Sequence, residues 1–130
     1  MDQTPPPKSV LIVDDDGRIR DLLCDLFEGE GYKVTEAADG LQAWERLTSS
    51  DLPLIVVLDE VLPGMRGLDL LERVAADERL VYKHRYLLLT ATAHHLRARH
   101  LPLPVPIIPK PCDLEALLAL VAHTAEHLQS

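Results

Sequence analysis

Residues 54–58 read Leu-Ile-Val-Val-Leu, with Asp59 directly after them. A strand with one wet face alternates apolar and polar side chains, whereas a run that is apolar at every position must be covered on both faces. A second such run, YLLLT, occupies residues 86–90. Outward from these two, short apolar runs alternate with amphipathic stretches along the chain. SVLIV precedes RIRDLLCDLFEGE, KVTEA precedes LQAWERL, and LIVVL precedes LDLLERVAA. YLLLT then precedes HHLRARH, and VPII precedes LEALLALVAHTAEHL. Strand followed by helix, five times over, predicts a doubly wound α/β fold: a five-stranded parallel sheet with five helices on its two faces.

The helix ends are marked by local chemistry. Leu22, Leu23, Leu26 and Phe27 recur at helical spacing, Asp16 is placed to cap the start of that helix, and Gly31 is placed to end it. Asp113 is the expected cap of the last helix, whose stripe is Leu114, Leu117, Leu118, Val121 and Leu128. The opening MDQTPPPK is polar and proline-rich, so residues 1–7 are expected to be a flexible tail and residues 8–130 the domain. Between Thr90 and Lys110 the stretch HHLRARHLPLPVPIIP carries four prolines, and the fourth helix is expected there in short or distorted form.

A length of 130 residues suits one compact core. A net charge of −8 disfavours nucleic acid, whose phosphates demand clustered Lys and Arg, and points to a protein partner. No apolar run approaches the roughly 20 residues that span a bilayer, and no basic region followed by an apolar one opens the chain, so a cytoplasmic, membrane-free protein is expected. Cys24 and Cys112, two thiols far apart, read as buried or half-buried free cysteines.

In a parallel sheet all strands end on the same side, and ligands bind outside those ends. Asp14 and Asp15 follow the first strand, Asp59 the third, Thr90 the fourth and Lys110 the fifth. Three carboxylates brought together repel one another unless a cation lies among them. Oxygen-only donors select a hard ion, so Mg2+ is expected, with Mn2+ able to substitute. Such an ion, with an ammonium and a hydroxyl opposite, can balance the charge on a phosphoryl group in transit to Asp59.

LIVDDD, VVLDEVLPGMRG, LLLTA and PKP stand in that order in this chain. Together they resemble the receiver domain of two-component response regulators, over nearly all the chain after Lys8. The resemblance implies a flavodoxin-like strand order of 2-1-3-4-5 and a single-domain, chemotaxis-regulator-like switch. It implies Asp59 as phosphoacceptor, Asp15 as a direct metal ligand, Asp14 acting largely through water, and Val61 lending its backbone carbonyl. Thr90 and Lys110 would bind the phosphoryl group, and Lys110-Pro111 is a cis-peptide candidate. The donor would be a sensor histidine kinase or histidine phosphotransfer protein and the receiver of the signal a separate downstream protein, with homodimerisation a further option. Catalysis would be limited to the chain's own phosphorylation and dephosphorylation.

Some positions depart from that pattern. Ile107 stands where the family usually carries a ring that swings inward on activation, and LPLPVP replaces the usual Gly-Ala pair. Val61 and Thr92, two residues beyond Asp59 and Thr90, offer no carboxylate or amide to position water, which implies slow self-dephosphorylation. A constitutive interaction module of the same fold is therefore the alternative to a switch. A phosphatase of the haloacid-dehalogenase type would want a second Asp where Val61 stands. Glu60 is placed equally to face solvent or the ion. Trp44 is expected to pack in the core with Leu41 and Leu47. His123 and His127 have a spacing that can bind zinc and His94 with His95 is a second cluster, but with no third ligand in view both read as surface histidines.

Overall fold

The computed structural model describes residues 8–92 and 101–128. Strands β1 (Ser9–Val13), β2 (Lys33–Ala37), β3 (Leu54–Asp59), β4 (Arg85–Thr90) and β5 (Ile107–Pro109) form one sheet in the order β2-β1-β3-β4-β5, and every pairing is parallel. Helices α1 (Gly17–Gly29), α2 (Gly40–Ser49), α3 (Gly67–Ala75), α4 (Glu78–Lys83) and α5 (Leu114–Glu126) cover it. The doubly wound reading and its strand order hold, and five helices lie among the described residues.

The runs that predicted two-sided burial are the middle of the sheet: β1 and β3 are buried at every residue, and β4 at all but its first. Alternate residues feed two cores. Leu11, Val13, Val56, Leu58 and Leu88 pack with Leu47 of α2, Leu70 and Val74 of α3 and Leu80 of α4. Val10, Ile12, Ile55, Val57 and Leu87 pack with Leu23 and Phe27 of α1 and Leu117 and Val121 of α5. Ile107 and Ile108 of β5 divide the same way, one to each core.

Asp16 caps α1, its side chain accepting from the Arg18 N–H, and Asp113 caps α5 by accepting from Glu115 and Ala116. Gly31 follows α1 with φ of 93°, a left-handed conformation that suits glycine and turns the chain into β2.

Three expectations shift. The stretch expected to hold one helix before β4 holds two: Asp77 accepts from the Arg79 N–H and starts α4, whose six residues bury only Leu80 and so leave no periodic signal. In α2 the inward stripe is Gly40, Ala43 and Leu47, and Leu41 is 60% exposed because it lies a helical step off that stripe. Trp44 is half-buried against the core, with the Arg73 guanidinium 4.4 Å from its ring centroid. Leu22 is likewise half-exposed, α1 burying Leu23, Cys24 and Phe27 instead. Residues 1–7, and the HHLRARH stretch with His94 and His95, lie outside the described residues. No described helix is long and apolar enough to cross a membrane.

Candidate functional site at the carboxyl ends of the strands

Backbone bonds extend the sheet one residue past its strands and thereby position the rim. Asp14 N–H donates to the Ala37 carbonyl (3.1 Å), Glu60 N–H to Leu89 (2.9 Å) and Lys110 N–H to Thr90 (3.0 Å). Four of the five residues inferred from strand-end logic thus sit on a hydrogen-bonded frame, and Asp15 follows Asp14 directly.

Asp14, Asp15 and Asp59 each offer a carboxylate oxygen, all within 4.8 Å of one another; Asp14 and Asp59 are buried and Asp15 is exposed. Lys110 Nζ lies 2.9 Å from Asp59 Oδ2, while the Val61 N–H donates to Asp59 Oδ1 at 3.2 Å. Among the described residues each Asp59 oxygen therefore has one donor. Asp14 Oδ1 accepts from the Asp16 N–H at 2.9 Å, and Oδ2 is buried with no partner among the described residues. Burial pushes the Asp14 carboxyl above its ordinary range; the Asp16 N–H opposes this, and the negative charges of Asp59 and Asp15 reinforce it. A buried oxygen with no partner among the described residues, on a carboxylate grouped with two more, belongs to a donor set that a hard cation satisfies.

Thr90 is buried at the end of β4, and its hydroxyl lies 3.1 Å from that of Thr92 and accepts from the Thr92 N–H at 3.1 Å. The Lys110–Pro111 bond is cis. Ile107 is half-buried and packs on the core shared by α2, α3 and α4. Val61 is 67% exposed at the mouth of the site. Glu60 faces neither solvent nor the carboxylate group: its side chain is buried and pairs with Arg66 at 3.6 Å.

Two residues that support the site were not legible beforehand. Arg20, in the first turn of α1, donates to the Asp14 carbonyl (2.8 Å) and to Glu36 (3.1 Å), tying the β1–α1 loop to β2. Gly67 opens α3 hard against the acceptor strand, with its N–H on the Glu60 carbonyl (2.8 Å). A Cβ there would sit 2.7 Å from the Asp59 carbonyl oxygen and 2.9 Å from Glu60 Cα. The one available signal for Gly67 was a second glycine shortly after an Asp-ended strand; Arg20 had none, because one partner is a backbone carbonyl and the other lies 16 residues away.

Comparison with known proteins agrees with this geometry. The family model of the response regulator receiver domain matches residues 10–122. Sporulation initiation phosphotransferase F of Bacillus subtilis is 41% identical over 85 residues, 65% of this chain and 64% of that protein. Chemotaxis protein CheY-3 of Vibrio cholerae is 42% identical over 86 residues, again 65% and 64%. The matched stretch thus spans just under two thirds of these curated relatives. Among solved structures, a CheY-like receiver domain protein from Methanospirillum hungatei superposes with a TM-score of 0.78 at 26% identity, covering 93% of this chain and 95% of that one. Response regulator protein TrrA of Thermotoga maritima, in complex with Mg2+-BeF, gives 0.76 at 27% identity over 89% and 97%. With the family model running from the second residue of β1 through the other four strands and into the last helix, the chain belongs to the response regulator receiver domain family.

Proposed function

We propose that the chain is a phosphorylation-dependent signalling switch that accepts a phosphoryl group on Asp59 and changes its binding to a separate protein. The observation that carries this is the Lys110 ammonium 2.9 Å from Asp59 Oδ2, across from the Asp14 and Asp15 carboxylates. In the transfer, an Asp59 oxygen forms the bond to phosphorus as the donor's P–N bond breaks and its electron pair returns to the donor imidazole. A histidine kinase or histidine phosphotransfer protein is that donor. Lys110 then exchanges a carboxylate oxygen for phosphoryl oxygens, and Thr90 exchanges Thr92 for the same group, drawing the β4 end inward.

Asp14, Asp15 and Asp59 would hold Mg2+, and the Val61 carbonyl is a fourth candidate donor; Mn2+ offers the same charge with a similar preference for oxygen. When bound, the ion supplies neutralisation of the charge that builds on the phosphoryl oxygens. The unpartnered Asp14 Oδ2 supports this assignment, as does the Mg2+-BeF complex of the Thermotoga relative. Because Ile107 is an aliphatic side chain already packed in the core, the signal is read through the β4 end and the segment after it rather than through a swinging ring. Val61 and Thr92 cannot orient water as a carboxylate or amide would, so the aspartyl phosphate is long-lived.

Intact mass after incubation with Mg2+ and acetyl phosphate tests the reading. The wild type should gain one phosphoryl group, and Asp59→Asn or chelation of Mg2+ should abolish the adduct. No adduct in a wild type that demonstrably binds Mg2+ would overturn the switch and favour a constitutive interaction module.

A further inference from the structure

α5 carries the expected Asp113 cap and core stripe, yet its last turn presents a feature that neither packing nor the Asp59 site uses. His123, Glu126 and His127 stand at positions i, i+3 and i+4, which share one helix face. All three are exposed, and one ligating atom from each lies within 4.8 Å of the others. The two imidazole centroids are 4.7 Å apart. The third ligand that the histidine pair lacked in the sequence is the carboxylate between them.

The hydrogen bonding assigns the ring nitrogens. His127 Nδ1 lies 2.9 Å from the His123 carbonyl oxygen. A carbonyl only accepts, so Nδ1 carries the proton and Nε2 keeps its lone pair. An imidazole whose one N–H is anchored on a backbone carbonyl, leaving the lone pair on its other nitrogen, is the usual state of a metal-bound histidine. The bond also fixes the ring orientation before any ion arrives.

We propose that His123, Glu126 and His127 form a surface site for a transition-metal dication of the Zn2+ class. Two imidazoles and one carboxylate match the donor preference of Zn2+ and not that of Mg2+, which takes oxygen. Three protein ligands leave a fourth position for water or for a side chain of another molecule. The site is distinct from the aspartate rim: α5 begins beside Pro111 and runs back along the sheet for 13 residues, about 20 Å at 1.5 Å per residue. His123 and His127 there border a groove of about 430 Å3 with Arg85 and Tyr86 from the start of β4.

Calorimetric titration of the full chain with ZnCl2, under Mg2+ sufficient to fill the aspartate rim, tests this. The wild type should bind one Zn2+, and His123→Ala and His127→Ala should each weaken it by more than about tenfold, the lower end of the cost of disturbing a metal's outer partners. Glu126→Gln should weaken it less, and Asp59→Asn and Cys112→Ser should leave it unchanged. Nitrogen chemical shifts should place zinc on Nε2 of His127 with Nδ1 still protonated. All three residues are exposed, so melting curves of the variants should overlay the wild type. Absence of binding in the wild type would overturn the proposal, as would affinity unchanged in both histidine variants or affinity that moves with Asp59 or Cys112.

Discussion

His84 is fully buried between α4 and β4, at a point where the sheet has not yet paired. Its Nδ1 accepts from the Leu54 N–H at 2.9 Å, at the first residue of β3, where the β4 register begins only at Ile55. Its Nε2 lies 3.0 Å from the Leu47 carbonyl in the last turn of α2, so Nε2 carries the proton. One ring thus closes a strand start and a helix end. Replacing it by leucine leaves one buried donor and one buried acceptor unpaired, each costing about 1–3 kcal/mol, so His84→Leu should lose about 2–6 kcal/mol. At about 3–5 °C per kcal/mol for a domain of this size, a loss in the middle of that range lowers Tm by roughly 12–20 °C. His84→Asn, which can still accept from Leu54 but cannot reach Leu47, should fall between the two.

The pH dependence follows from the same contacts. Burial lowers the His84 pKa from its ordinary 6.5; the Leu47 carbonyl opposes this and the Lys83 charge adds to it. The native state therefore refuses a proton that the unfolded chain takes. Stability contributed by neutral His84 is complete above pH 6.5 and is lost as pH falls below it toward the depressed native pKa. Urea melts of wild type and His84→Leu from pH 8 downward should converge as the pH drops, with the wild type carrying the steeper decline. A loss under about 1 kcal/mol in His84→Leu, or parallel pH profiles, would refute the bridging role, since an orphaned buried pair cannot be that cheap.

Gly67→Ala forces a Cβ into the Asp59 carbonyl and Glu60 Cα, and overpacking against backbone costs about 1–3 kcal/mol. The variant should melt lower and gain the phosphoryl adduct more slowly than wild type, read by differential scanning calorimetry and timed intact mass. Asp14→Asn removes a buried charge facing two others, so it should raise Tm without Mg2+ and lose most of the Tm increase that Mg2+ gives the wild type. At 100-fold over its Kd that wild-type increase corresponds to about 2.7 kcal/mol, which a thermal shift series measures. Cys24 is buried and its thiol is pushed up to about 11, first by burial and then by the Glu36 carboxylate, whereas Cys112 is only half-buried. Ellman's reagent should therefore titrate Cys112 first in the native protein and reach Cys24 only on unfolding.

Legibility in this chain follows how local the determining physics is. β1, β3 and β4 were plain because two-sided burial writes itself into consecutive residues. The rim was plain because a parallel sheet makes strand-end position a sufficient coordinate for Asp14, Asp59, Thr90 and Lys110, whatever lies between them. α4 escaped because six residues with one buried side chain carry no period, and Leu41 was misplaced because spacing alone does not say where a helix's inward stripe is centred.

What stayed hidden depends on partners brought together only by folding. Arg20 meets Glu36, Glu60 meets Arg66 across the β3–α3 loop, and His84 meets Leu47 and Leu54 from 37 and 30 residues away. The same distinction separates the chemistry of the site from its support. The groups that would handle a phosphoryl group are single side chains at strand ends, so their identity suffices to find them. Gly67 and Arg20 hold those side chains in place through an absent Cβ and a bond to a backbone carbonyl. Neither leaves a residue-type signature, because what they supply is a position for Asp59 and Asp14 rather than a functional group of their own.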